Sequence, residues 1–149
     1  MQYRLMKKAI FIISLILLSS PLWAFDNPDA ILGVWKNSTG KGYVQIYKQN
    51  GKYFGKITWL KNAVDANGHP KLDKKNQDPA QRNKPLIGLV MLRNFVYEDG
   101  EWTDGHIYNP QDGKEYKGYM RLKDNNTLIV RGYIGLSWFG KSDVWTRVN

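Results

Sequence analysis

The chain has no cysteine, and only two of its 149 residues are histidine. Without cysteine there is no disulfide framework, no thiolate zinc site and no catalytic thiol. Catalytic signatures are missing too. There is no Gly-x-Ser-x-Gly elbow, no phosphate-cradling glycine loop and no His-Glu-x-x-His zinc helix. Helical periodicity is lacking after Phe25, as are solenoid repeats and low-complexity tracts. The length leaves no room for a second, cofactor-binding lobe. No catalytic residue, metal or cofactor is therefore expected. Acidic residues are also few, with 13 Asp and Glu against 22 Lys and Arg for a formal charge of +9.

What the chain does have is aromatic mass. Six Trp, nine Tyr and five Phe supply core material that a disordered basic tail lacks. Residues 1–24 read as a secretory signal, with Arg4, Lys7 and Lys8 ahead of an apolar run from Ala9 to Ser20. Pro21 and Ala24 suggest cleavage before Phe25, leaving residues 25–149 as one periplasmic or secreted domain. The other reading, an uncleaved membrane anchor, is weighed down by the shortness of the run and by Pro21. Loss of residues 1–24 removes three bases and no acid, so the remainder carries +6, all of it within residues 25–84.

The rest alternates short β-type runs with Gly, Asn and Asp turns. The runs are Ile31–Lys36, Tyr43–Lys48, Tyr53–Leu60, Leu86–Arg93 continuing through Phe95–Tyr97, Glu101–Tyr108, Lys114–Leu122, Thr127–Gly135 and Ser142–Val148. Asn50-Gly51 suits a type I′ hairpin. Leu136–Lys141 reads as a turn. The polar stretch from Lys61 to Lys84 is too long for a hairpin loop and is expected to be a functional lid or to hold a short helix. Sequential antiparallel strands of about this number favour an all-β, up-and-down barrel of about eight strands, closed on itself.

Gly33-Val34-Trp35 opens the first strand and Arg147 follows Trp145 in the last, so a Trp35–Arg147 cation–π contact would sit where the barrel must close. The ordered segments Gly33-Val34-Trp35-Lys36, Tyr53-Phe54-Gly55-Lys56-Ile57, Lys84-Pro85-Leu86-Ile87-Gly88-Leu89, Gly105-His106-Ile107-Tyr108-Asn109-Pro110 and Arg131-Gly132-Tyr133-Ile134-Gly135 resemble the small exported bacterial family known as domain of unknown function 2147. The resemblance spans residues 30–148 and implies a lipocalin-like β-barrel, with no established activity. In lipocalins a Gly-x-Trp opens strand one and a late basic side chain packs across it, which gives Gly33, Trp35 and Arg147 a closure role by resemblance. Some members carry a cysteine pair near the long loop; this chain has none.

Such barrels have room for one small ligand. Alternation puts Trp102, Asp104, His106 and Tyr108 on one face of their strand. Ile129, Arg131 and Tyr133 share one face of theirs, opposite Leu128, Val130 and Ile134. His106, Tyr108, Arg131 and Tyr133 are the candidate ligand-binding residues, with Arg131 suited to a carboxylate and a structural or solvent-facing role as the alternative for each. His69 with Asp65, Asn67 and Asp73 lacks the spacing and distal Glu of an EF-hand, so a solvated turn is expected there. Trp35, Trp59, Trp102, Trp138 and Trp145 read as packing rather than a stacking platform. The function expected is binding or carriage of a small, apolar or amphipathic molecule. The alternative is a non-catalytic envelope module whose basic surface meets anionic lipid or a protein. Nucleic acid is not an expected partner of an exported protein, and the oligomeric state is left open.

Overall fold

Strand alternation and short turns produce eight strands: β1 (Gly33–Lys36), β2 (Gly42–Gln49), β3 (Lys52–Leu60), β4 (Val90–Glu98), β5 (Glu101–Asn109), β6 (Lys114–Asp124), β7 (Thr127–Tyr133) and β8 (Lys141–Arg147). The computed structural model describes residues 27–135 and 140–149. The expected signal segment, its junction at Phe25, and Trp138 with most of the Leu136–Lys141 turn lie outside the described residues. Each strand pairs antiparallel with the next, and β1 pairs with β8, which closes the barrel. Closure satisfies the backbone groups that an open sheet leaves at its edges.

Up-and-down topology divides the connections between two ends. The β2–β3, β4–β5 and β6–β7 turns share one end, and a 3-10 helix at Pro28–Ile31 plugs it. Pro28 fits the first helical position, where no amide donor is needed, and Asn27 caps it by accepting from the Asp29 amide at 3.0 Å. Beneath the plug lies the core, with Trp35, Tyr53, Leu92, Phe95, Trp102, Met120 and Leu128 essentially without solvent contact. The Trp102 indole donates to the Pro28 carbonyl at 3.1 Å. Asp29 accepts from the Tyr53 hydroxyl at 2.7 Å and pairs with Lys48 at 3.0 Å. Those contacts hold its carboxyl below the ordinary value, the Tyr53 bond contributing most.

Three local readings are corrected. The apolar run from Leu86 does not begin as a strand. Leu86–Leu89 turns on itself, with the Leu89 amide donating to the Leu86 carbonyl at 3.1 Å around Gly88 at φ 91°, and β4 starts at Val90. The connection therefore extends from Lys61 to Leu89, and it holds a 3-10 turn at Pro79–Gln81 capped by Asp78. The third correction concerns parity. Asn94 and Asp104 adopt left-handed φ of 61° and 56°, and the register shifts beside them on β4 and β5. Each extra residue flips the alternation beyond it. Trp102, Gly105 and Ile107 consequently face inward, whereas His106 and Tyr108 face outward and do not share a side with Trp102. Gly105 is needed where it stands, because a Cβ there would overlap the Phe95 ring.

Candidate functional site: the open end of the barrel

The end opposite the plug holds, among the described residues, a cavity of about 450 Å³. Met91, Ile107, Val130 and Trp145 form its apolar wall, and Gly132 leaves part of that wall without a side chain. The rim is polar, from Asn109 at the end of β5, Asp112 on the β5–β6 connection, and Tyr116, Lys141 and Asp143 on β6 and β8. Alternation explains the β8 contribution. Trp145 is buried, so Asp143 and Lys141 share its inward face. The Trp145 indole donates to Asp143 Oδ2 at 2.7 Å, orienting that carboxylate within the wall.

Asp112 is held as firmly. It accepts from the Tyr116 hydroxyl at 2.5 Å and from the Lys114 amide at 2.9 Å. Desolvation pushes its carboxyl up, but these bonds outweigh it and hold it below the ordinary value. The same contact raises the Tyr116 hydroxyl, with burial adding to it. Two oriented carboxylates and Lys141 thus ring an apolar interior, an arrangement suited to a molecule with an apolar body and a hydrogen-bonding end.

The long connection lies against the outer wall. Asp73, 1% exposed, accepts from the Tyr108 hydroxyl and from the Asn76 amide, both at 2.7 Å. Burial, then the bond to Asp73, pushes the Tyr108 hydroxyl up to about 12. Lys75 Nζ donates to the Gln111 carbonyl at 2.6 Å. Between this connection and β4–β6 runs a larger exterior groove, about 1020 Å³, with Asp78, Lys84, Lys114 and the Arg93–Glu115 ion pair along it. The groove also has Pro85, Ile87, Leu89 and Val90 along it and is about as open to solvent as the cavity at the barrel end; the difference is that its lining is the more polar of the two.

The residues singled out from the sequence fall in different places. His106 and Tyr108 are on the outer face, with Tyr108 anchoring the connection. Arg131 is also outward and donates to Ser142 Oγ at 2.8 Å. Tyr133 stands at the cavity mouth. His69 and Asn67 donate their backbone amides to Asp65 Oδ1 at 3.0 and 2.9 Å, a local turn, and Asp73 is engaged elsewhere. Asp112, Asp143, Lys141 and Tyr116 were not singled out; counting alternation back from Trp145 would have found the two on β8.

At the closed end the Arg147 guanidinium lies 4.2 Å from the Trp35 ring centroid. It donates to the carbonyls of Leu32, Ala30 and Asn125, each at 2.7 Å. Burial lowers its pKa. The Trp35 indole donates to the Ile31 carbonyl at 2.9 Å. Gly33, at φ 127°, leaves the space in which Arg147 Nη1 would come within 2.9 Å of a Cβ.

A closed barrel of eight antiparallel strands, with a 3-10 plug at one end, is a lipocalin-like fold. The chain belongs to the family described as an uncharacterized protein conserved in bacteria (DUF2147), whose model matches residues 33–147. Among solved structures it is similar to protein HP1028 from Helicobacter pylori, described as belonging to the lipocalin family. The two are 25% identical with a TM-score of 0.68, over 79% of this chain and 82% of that one. No curated protein matches the chain.

Proposed function

We propose that this protein is a non-enzymatic binding protein that takes up one small amphipathic molecule at the open end of its barrel. The observation that carries the reading is the cavity of about 450 Å³ with its apolar wall and polar rim, a volume within the range of small-molecule sites. The apolar part of the ligand lies against Met91, Ile107, Val130 and Trp145, and its polar end meets Asp112, Asp143 and Lys141. Uptake of an environment-sensitive naphthylamine dye tests this. Gly132→Leu places a side chain in the cavity, where a Cβ meets only ordinary contacts of 3.5 Å and beyond. It should abolish dye uptake while leaving the fold intact, and His106→Ala on the outer wall should not change uptake. Undiminished dye binding by a folded Gly132→Leu protein would sink the proposal.

The leading segment, basic residues followed by an apolar run, supports export to the periplasm or beyond. Amino-terminal sequencing of the protein recovered from cells should begin at Phe25. Recovery of an intact amino terminus from the cytoplasm would overturn the export reading.

A further inference from the structure

The charge of the barrel is not spread around it. Between Asp29 and Asp65 the sequence has six lysines and no acidic residue, and this stretch contains all of β1, β2 and β3. Lys48 is tied to Asp29 at the plug. The other five, Lys36, Lys41, Lys52, Lys56 and Lys61, belong to the outer face of these strands or to the connections at their ends, and all but the half-buried Lys56 are exposed.

The same face carries aromatic rings that the core does not use. Tyr43 and Trp59 are cross-strand partners with ring centroids 4.5 Å apart, and Tyr47 and Phe54 are partners at 5.7 Å. Trp59 is 41% exposed, among the largest apolar side chains left open on the molecule. Lys56 lies with its ammonium 5.6 Å from the Tyr47 ring centroid, its stem along the aromatic surface. Tyr and Trp are the side chains best suited to the boundary between headgroups and acyl chains. Lysines beside them gain from negative headgroups while their stems rest on apolar surface.

We propose that the outer face of β1–β3 is a docking surface for a bilayer bearing anionic phospholipid headgroups. Charge complementarity decides the occupant. A second copy of this face would set lysines against lysines. A neutral surface would offer these five cations no fixed charge of opposite sign. Docking here is independent of the interior cavity, which opens at the end of the barrel and shares no residue with this face.

Flotation with phosphatidylcholine vesicles, with and without phosphatidylglycerol, tests it, the readout being the increment that phosphatidylglycerol adds. That increment cancels association due to the apolar run at residues 9–20, and comparing the β3 with the β6 variants cancels that due to Arg4, Lys7 and Lys8. It should fall steeply with salt. Lys52→Glu with Lys56→Glu should lower it about tenfold, whereas the same charge change at Lys117 and Lys123 on β6 should leave it within about twofold. Lys52→Gln with Lys56→Gln serves if the Glu pair does not fold. Trp59→Ser should also weaken the bound state. Equal losses from the β3 and β6 pairs would make this a non-specific charge effect and overturn the proposal. Tighter binding to single-stranded DNA than to the vesicles, lost with Trp59→Ser, would overturn it in favour of nucleic acid. Gly132→Leu should lose dye uptake and keep vesicle binding, so the two readings fail separately.

Discussion

Arg147 does several things with one side chain. It satisfies three carbonyls, covers the Trp35 ring and spans from the last strand to the segment before the first. Arg147→Met keeps the apolar stem but leaves those carbonyls without their donor. It should cost about 2–4 kcal/mol in urea unfolding; a loss under about 0.5 kcal/mol would show that the contact contributes little. Gly33→Ala should cost about 1–3 kcal/mol, from positive φ and from crowding of the guanidinium. That the first strand must join the last follows from barrel closure; that Trp35 and Arg147 meet there was implied by the resemblance to lipocalins. His106 and Tyr108 were less legible, because one residue at Asp104 reverses the alternation on which their placement depends. Asp-Gly inside an apolar strand is the available signal of such a bulge, and Asp104-Gly105 carries it. Asp73 was hidden for a different reason. Its partner Tyr108 is distant in sequence, and a buried aspartate looks like any loop aspartate until that partner is known.

At the scale of elements, the plug and the long connection respond to pH at opposite ends of the scale. The Asp29 carboxyl binds a proton less readily in the folded protein than in the unfolded chain. Its contribution is complete above the ordinary value of 3.8 and is lost as pH falls through the lower folded value. Asp29→Asn should flatten that acid limb in thermal unfolding followed against pH. Tyr108 has the opposite sign of shift. Its hydroxyl keeps its proton up to about 12 in the folded protein, so stability is intact below pH 10 and declines from about 10 to 12. Tyr108→Phe should remove that part of the alkaline decline and leave Asp73 without one of its donors. Separately, Asp73→Ala should raise hydrogen exchange and protease cleavage across residues 61–89 with a smaller effect on β2–β7. Unchanged protection there would mean that the Asp73 anchor is not what holds the connection down. Most strand boundaries were legible from turn chemistry. Leu86–Leu89 was not, because a short apolar run has no period by which a turn can be told from a strand.

For the whole molecule, the barrel closes through its shortest seam. Within the strands, β1 and β8 pair at Trp35–Arg147 and Lys36–Thr146, with one further bond from the Val148 amide to the Val34 carbonyl at 2.8 Å, whereas β2–β3 and β6–β7 pair along most of their length. Amides of β1 and β8 should therefore exchange with solvent before those of β5 and β6, which hydrogen exchange resolved by peptide would reveal. Simultaneous exchange around the ring would show that the seam is no weaker than the rest. The all-β class and the closed ring were legible from strand number and order. Which end takes the plug was not, because the four residues of the 3-10 plug carry no apolar period.

The distance along the chain between the two sides of that seam has a kinetic consequence. Hairpins from β2 to β7 can form from neighbours in sequence, but the closing pair is among the longest-range contacts in the molecule, and such topologies fold slowly. Until β8 docks, the intermediate is an open meander with two bare edges able to recruit a strand from another molecule. Truncation before Lys141 would make that intermediate permanent. Its product would be a nucleus for assembly in place of a smaller barrel.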